Sequence, residues 1–443
     1  MTSLGQEANE RDRRAGSSRA APRHSGQSAD HCSSEVTKGL SASDRYSRQI
    51  LFRGIGEPGQ RQLAASRVAI VGCGATGSAL ASLLARSGVG TIRILDRDYV
   101  EPSNLQRQSL FDEADAAESL PKAIAAARQI ATFNSEIVVE PRVEDVIPGN
   151  IEGLLEGMQL ILDGTDNFET RYLINDYAVK NAIPWIYSAA VGSYAVTLNV
   201  LPGETACLSC IFPDSPQGMV ETCETSGILN SAVNLVASIA ATEAMKLLVG
   251  PSGSEATPES RVDGGATIDR ERPVGLASSP KPGSTVAPAA ERRNLLAQHP
   301  SARKATTTAQ RLPEGQYPGE LRKTLLSFDL WTNDHAEISA ATPRPNCRAC
   351  GQHDFIHLQG EARPHITLCG RNSVQIHERQ RPIDFAEMDR RLKPHGQVRH
   401  NDFVLKFWRD PYEMTLFPDG RAIIKGTTDT AVARSLYARY VGS

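Results

Sequence analysis

The segment RVAIVGCGATGSALASLLARSGVGTIRILD (Arg67–Asp96) decides the fold. It opens with four apolar residues after Arg67, three of them β-branched, the pattern of a strand buried on both faces. Glycines follow at once, then a run of small and aliphatic residues closed by Gly88 (a helix), then a second apolar run ending in Asp96. About thirty residues of strand, turn, helix and strand make one βαβ unit, the crossover a parallel sheet requires.

The same alternation continues downstream. LPKAIAAARQIATFN is a helix with Pro121 at its start and Asn134 at its end, and EIVVEPRV is a strand. MQLILDGTDN is strand plus turn, FETRYLINDYAVKNA a helix and PWIYSAAVG a strand. YAVTLNVLP begins an antiparallel section, and GILNSAVNLVASIAATEAMKLLVG is a long helix closed by Gly250. The fold class expected is α/β: a doubly wound, Rossmann-like, mostly parallel sheet continued by an antiparallel section, with a small C-terminal α+β module. Ahead of it, DRYSRQILFRGIGEPGQRQLAAS has helical spacing in its first half, and Gly54, Gly56 and Gly59 interrupt the second.

Composition divides the rest. Residues 1–43 are polar and charged without an apolar core, a disordered tail rather than a secretory signal. The ordered domain is expected over 44–250. Residues 251–320 are rich in Ser, Pro, Gly and Ala, too poor in large apolar groups to offset the entropy of ordering, and read as a disordered insertion. The core is expected to end over 321–352, with the small module at 353–443 and a final helix in which Tyr437 and Tyr440 pack. Formal charge is -3 with a pI near 6.4, which gives no bulk case for nucleic acid or an acidic membrane surface. No uninterrupted apolar run of about eighteen residues is expected to span a membrane. A cytoplasmic location follows as an expectation.

Gly72, Gly74 and Gly77 form G-x-G-x-x-G between strand and helix, a turn whose backbone can approach a phosphate at a helix N-terminus. Asp96, nineteen residues after Gly77, is placed to accept from ribose hydroxyls. To this point a nicotinamide dinucleotide would fit. The stretch that follows, DYVEPSNLQRQ, carries Asn104, Arg107 and Gln108, and Lys122 opens the next helix. These are donors for phosphate oxygens. LDGTDN places Asp163 and Asp166 at a second strand end, where an acid can hold Mg2+. Hydride transfer needs neither a metal nor several cations, whereas nucleotidyl transfer from ATP uses both.

There are eight cysteines, and Cys207 and Cys210 with Cys347 and Cys350 make two C-x-x-C pairs. In a chain with no export signal these point to a closed four-thiolate structural zinc site, although 136 residues lie between the pairs. A redox role is disfavoured because neither pair is expected to start a helix after a strand. Cys223 stands alone before the long helix, where a thiol can become nucleophilic. Cys73 and Cys369 read as packing residues. His353 and His357, in the strand-like HDFIH, make a weak case for a second metal.

YSRQILFRG, the Arg67–Asp96 segment with DYVEPSNLQRQ, PKA, LDGTDNFETRYLIND, CLSC and TCETSGIL together resemble the ThiF/MoeB/HesA family of adenylyltransferases, related to the ubiquitin-activating enzymes. The resemblance covers about residues 46–250 and resumes over FDLWTND to CRACG, and the C-terminal tail is similar to the extension of some bacterial ThiF-type proteins. It implies an ATP-dependent adenylyltransferase acting on the C-terminal glycine of a ubiquitin-like sulfur carrier ending in Gly-Gly. A ThiS-like carrier is favoured; a MoaD-like carrier is the alternative, and an NAD-binding oxidoreductase the reading of a different class. It implies that Gly72, Gly74, Ala75 and Gly77 lie under the phosphates and that Asp96 holds the ribose. Asn104, Arg107 and Lys122 would grip phosphates, with Asp98, Ser103, Gln108 and Asn167 as neighbouring nucleotide contacts and Asp166 serving Mg2+. Arg48 would reach into the ATP site of a second subunit, implying a homodimer. Cys223 matches a cysteine that bonds the activated carrier during sulfur transfer from a cysteine desulfurase or rhodanese-type donor. Ala75 departs from relatives that have glycine there.

Overall fold

The computed structural model describes residues 42–213, 226–250, 320–360, 365–368, 372–376 and 382–442. The chain falls into two units, Met1–Arg45 and Tyr46–Ser443. The described part of the first is one helical turn, α1 (Ala42–Arg45).

The second begins with α2 (Ser47–Ile50) and α3 (Gly56–Ala65). Of the glycines expected to interrupt this stretch, Gly54 lies in the turn between the two helices, whereas Gly56 opens α3 and Gly59 lies inside it. A Cβ on Gly59 would stand 2.9 Å from Val249 Cγ1, so the residue is small because another helix packs on it. The expected βαβ unit follows as β1 (Arg67–Val71), α4 (Ala75–Ser87) and β2 (Thr91–Leu95), with Gly88 left-handed at the helix end. A 3-10 turn (Pro102–Asn104), α5 (Glu113–Glu118) and α6 (Lys122–Phe133) lead to β3 (Val138–Arg142). Then come α7 (Ile151–Leu155), β4 (Leu160–Asp163), α8 (Phe168–Lys180), β5 (Trp185–Val191), β6 (Tyr194–Val200), α9 (Leu208–Ile211) and α10 (Asn230–Val249). The hairpin β7 (Thr324–Asp329) and β8 (Asp334–Ser339) completes the sheet.

Strand order is β3-β2-β1-β4-β5-β6-β7-β8, parallel from β3 to β5 and antiparallel from β5 onward. Both faces are covered, as near-continuous apolar strands demand. Val68, Ile70, Ile92, Ile94, Leu160 and Leu162 face α4, α6 and α10; Ala69, Val71, Leu95 and Ile161 face α7 and α8. The order reverses between β2 and β4, about β1. The carboxyl ends of β1 and β4 are therefore the switch point at which such sheets bind ligands.

Helix α10 comes nearest to an apolar run of membrane-spanning length. A window of eighteen of its twenty residues has a mean hydropathy of 1.5, enough by length and composition to cross a membrane. Here they pack against α3, α4, β5 and β6, and half of that window is buried. Its apolar residues face those elements, while Asn230, Asn234, Ser238 and Thr242 line the exposed side.

The last part forms a separate antiparallel sheet in the order β11-β12-β13-β14-β10-β9. Its elements are β9 (His365–Leu368), β10 (Ser373–Ile376), α11 (Phe385–Leu392), β11 (Gln397–His400), β12 (Leu405–Arg409), β13 (Tyr412–Leu416), β14 (Ala422–Lys425) and α12 (Thr430–Tyr440). Tyr437 and Tyr440 join its core with Phe407, Leu405 and Leu392, as packing residues should. HDFIH is loop and turn rather than strand, and His357 stacks on Tyr172 with ring centroids 5.0 Å apart.

Candidate functional site

The turn after β1 is fixed by glycine against glycine. Gly72 has φ +86°, and a Cβ there would lie 2.6 Å from Gly164 O, in the turn after β4. A Cβ on Gly77 would lie 1.9 Å from Gly72 O, and one on Gly164 2.3 Å from the same oxygen. Gly72 and Gly77 are thus required by close backbone packing of the two strand ends. Gly74 is different: its nearest neighbours are at ordinary contact distance, Gln108 Nε2 and Gly164 O each at 3.9 Å. Gly74 caps α4, and Ala75 is the first residue of that helix, where an ordinary helical backbone accepts its methyl group.

Asp96 lies at the end of β2 and is buried. Its Oδ2 accepts from Cys73 N at 2.6 Å and its Oδ1 from Asp98 N at 2.7 Å, so the acid ties the glycine turn to the next strand end. Burial raises its carboxyl, while the Lys122 charge and these N–H groups oppose the rise. Lys122, at the start of α6 and 3% exposed, holds Asp98 Oδ2 at 3.1 Å. Asn104 is buried, and its Oδ1 accepts from Glu101 N at 3.0 Å. Arg107 Nη1 donates to Ser103 O at 2.8 Å, with Ser103 exposed. Gln108 is 3% exposed and its Oε1 is buried with no hydrogen-bond partner among the described residues. That orphaned acceptor beside the open side of Gly74 is the feature a bound polar ligand would complete.

After β4 the two acids separate. Asp163 is fully buried: Arg171 Nε reaches its Oδ2 at 2.9 Å, and Thr165 N and Oγ1 donate to its Oδ1 at 2.8 and 2.7 Å. It is committed to the turn and is no metal ligand. Asp166 is exposed and lies in the field of Arg97 and Arg171. The Asn167 side chain caps α8 by accepting from Thr170 N at 2.8 Å. Sequence reasoning passed over Arg97, which pairs with Asp145 at 2.8 Å and lies 4.0 Å from Asp98. Its signal was a cation directly after the strand-end acid.

Arg48 is exposed on α2. Its neighbour Gln49 donates to Ser87 O at 2.8 Å, the far end of α4 from the glycine turn. Twelve residue steps of helix separate those ends, about 18 Å. The fold therefore does not bring Arg48 to the glycine turn of its own chain. Cys223 lies outside the described residues, as do Cys32 and Cys369.

The four paired cysteines converge although 140 positions separate Cys207 from Cys347. All their Sγ atoms lie within 4.8 Å of one another. Cys207 to Cys347 is 3.6 Å, Cys210 to Cys350 3.3 Å and Cys207 to Cys210 3.9 Å. Tetrahedral zinc with Zn–S bonds of about 2.3 Å spaces its sulfurs by about 3.8 Å, so the donor set fits such an ion. Arg344 N donates to Cys210 Sγ at 3.3 Å, the kind of outer contact that orients a thiolate. Contrary to expectation, Cys207 does start a helix after a strand, as the N-cap of α9. The second pair facing it, rather than helix placement, is what speaks against a redox C-x-x-C. Cys73 is buried in the core beside Leu80 and Ile94, as expected.

Fold and switch-point turn put the chain in the class of nucleotide-binding doubly wound α/β proteins. The profile of the ThiF family matches residues 46–267, and the chain belongs to that family. It is 37% identical over 402 residues to the sulfur carrier protein ThiS adenylyltransferase of Bacillus subtilis, spanning 90% of this chain and 99% of that protein. It is 39% identical over 207 residues to the SAMP-activating enzyme E1 of Haloferax volcanii, covering 46% of this chain and 76% of the relative. It is 36% identical over 213 residues to a sulfur carrier protein adenylyltransferase of Thermus thermophilus, covering 47% and 78%. Among solved structures, E. coli MccB aligns with 69% of this chain and 74% of its own at TM-score 0.48 and 19% identity.

Proposed function

We propose that this chain is an ATP-dependent adenylyltransferase that activates the C-terminal glycine of a ThiS-like, ubiquitin-like sulfur carrier, releasing pyrophosphate. One observation carries the reading: the correspondence with the Bacillus ThiS adenylyltransferase runs over 99% of that protein, well past the ThiF region. The carrier carboxylate attacks the α-phosphorus of ATP, the α–β bridging bond breaks, and an acyl-adenylate forms. The nucleophile is already an anion, so no general base is required, and catalysis rests on positioning and charge.

In this reading the α4 N-terminus and the Gly74 side of the turn receive phosphate, Gln108 completes its hydrogen bonding on the ligand, and Asp96 faces the ribose. Lys122 exchanges part of its pairing with Asp98 for phosphate, and Arg107 swings from Ser103 O to do the same. Exposed Asp166 is the residue suited to Mg2+, which would neutralise phosphate charge when bound. Arg48 serves the site of a second copy in a homodimer. Cys207, Cys210, Cys347 and Cys350 hold a structural zinc, and Cys223 takes up the activated carrier before sulfur arrives from a desulfurase or rhodanese-type donor. The enzyme works in the cytoplasm, without nucleic acid or membrane.

The test is ATP–pyrophosphate exchange with radiolabelled pyrophosphate and Mg2+, with and without a ThiS-like carrier ending in Gly-Gly. Exchange that depends on this carrier is the expected result. Exchange with a MoaD-like carrier alone would move the protein to another pathway, and absence of exchange with both would overturn the reading.

A further inference from the structure

The C-terminal sheet presses on the segment that follows β2. Tyr99, 3% exposed, forms a small core with Val404, Phe417 and Ile423 of the module. Thr415 Oγ1 donates to Tyr99 OH at 3.4 Å, and Lys406 Nζ lies 4.1 Å from the centre of its ring. Lys425 Nζ, on β14, forms an ion pair with Glu101. Three further bonds run beside this contact: Asn401 Nδ2 to Glu118 O at 2.6 Å, Gln375 Nε2 to Asp145 Oδ2 at 3.2 Å and Arg421 Nη2 to Val143 O at 3.3 Å. Asp145 is also the partner of Arg97.

Glu101 joins the module to the turn that follows β2. Its side chain and that of Asn104 cap the 3-10 turn reciprocally: Glu101 accepts from Asn104 N, and Asn104 Oδ1 accepts from Glu101 N at 3.0 Å. Arg107 N and Gln108 N in turn donate to Asn104 O at 3.0 and 2.9 Å. One short chain of bonds therefore runs from Lys425 in the module through Glu101 and Asn104 to Arg107 and Gln108. An ion pair between partly buried partners, reinforced by an aromatic floor, fixes position better than an exposed one.

We propose that the C-terminal module is a positioning element for the nucleotide site, with Lys425 and Tyr99 setting the place of the Glu101–Gln108 segment. Lys425 is a positioning residue: it acts through Glu101 and does not touch the ligand. The inference rests on the nucleotide site proposed above and assigns the module a part in it.

The experiment uses the full chain and the variants Lys425→Met, Lys425→Arg and Thr415→Val. Calorimetric titration with a non-hydrolysable ATP analogue and Mg2+ gives Kd, exchange kinetics give KM for ATP and kcat, and thermal unfolding with cysteine-bound metal content reports integrity. Lys425→Met is expected to weaken analogue binding and raise KM by roughly tenfold, with kcat within about twofold. Lys425→Arg is expected to restore most of the loss, and Thr415→Val to show a smaller loss of the same kind. Folded Lys425→Met with wild-type Kd and KM would overturn the inference and leave the proposed function standing. Wild-type protein that fails to bind the analogue would overturn the proposed function itself. A Lys425→Met protein whose loss is matched by Lys425→Arg would overturn the ion-pair route.

Discussion

At the scale of single residues, what a side chain lacks matters as much as what it carries. Gly77→Ala would drive a methyl group into the Gly72 carbonyl, whose position two other elements fix. A loss of about 3 kcal/mol or more is expected in denaturant unfolding. Ala75→Gly, two positions away, should cost no more than about 1 kcal/mol, since it only loosens a helix start. Asp166→Ala is expected to reduce pyrophosphate exchange by at least about a hundredfold while metal stays at about one ion per chain. Unchanged exchange would remove Asp166 from its assigned role. The sequence made Gly72, Gly77 and Asp96 visible because their spacing is set by a local turn. It hid the difference between Gly72 and Gly74, which depends on Gly164, nearly a hundred positions away. Asp163 and Asp166 looked alike for the same reason: Arg171 and Thr165, which claim Asp163, are recognised only once α8 is in place.

At the scale of elements, helix α10, strand β6 and the segment that leads into β7 meet through one carboxylate. Glu243 accepts from Lys246 Nζ at 2.7 Å, Asn199 Nδ2 at 2.6 Å and Arg322 N at 3.0 Å. Burial alone would raise this acid, but the bonds from Lys246, Arg322 and Asn199 together hold it below the ordinary 4.5. A carboxyl lowered in the folded state binds protons less tightly than in the unfolded chain. Its contribution is therefore complete above the ordinary value and is lost as pH falls through the folded one. Glu243→Gln should be destabilised relative to wild type at neutral pH, and the gap in unfolding midpoint should close on acidification below 4.5. A gap independent of pH would count against the assignment. The strands β1, β2 and β4 and the helices α4 and α6 were legible because their apolar runs are long and punctuated. Helix α3 was not, since glycine usually breaks helices and here serves a close crossing with α10. Strands β10 and β11 and helix α11 were missed because each is short and finds its partners only within the module's own sheet.

At the scale of the whole molecule, two distant cysteine pairs close one cluster, joining the end of β6 to the loop after β8. Cys207→Ser is expected to lose bound zinc and lower the thermal midpoint by more than about 5 °C, and intact metal stoichiometry would count against the four-thiolate site. The pairs were plain in the sequence; that Arg344 would donate to Cys210 Sγ was not, because it follows from the path of the chain after β8. The same topology has a practical side. Lys246, one turn before α10 ends at Gly250, donates to Glu320 O at 3.2 Å, so the chain departs and comes back at a single doorway on the helix end. The position is a natural port for cargo: a foreign domain whose termini lie close together, spliced in between Gly250 and Glu320, should leave both sheets and the cysteine cluster as they are.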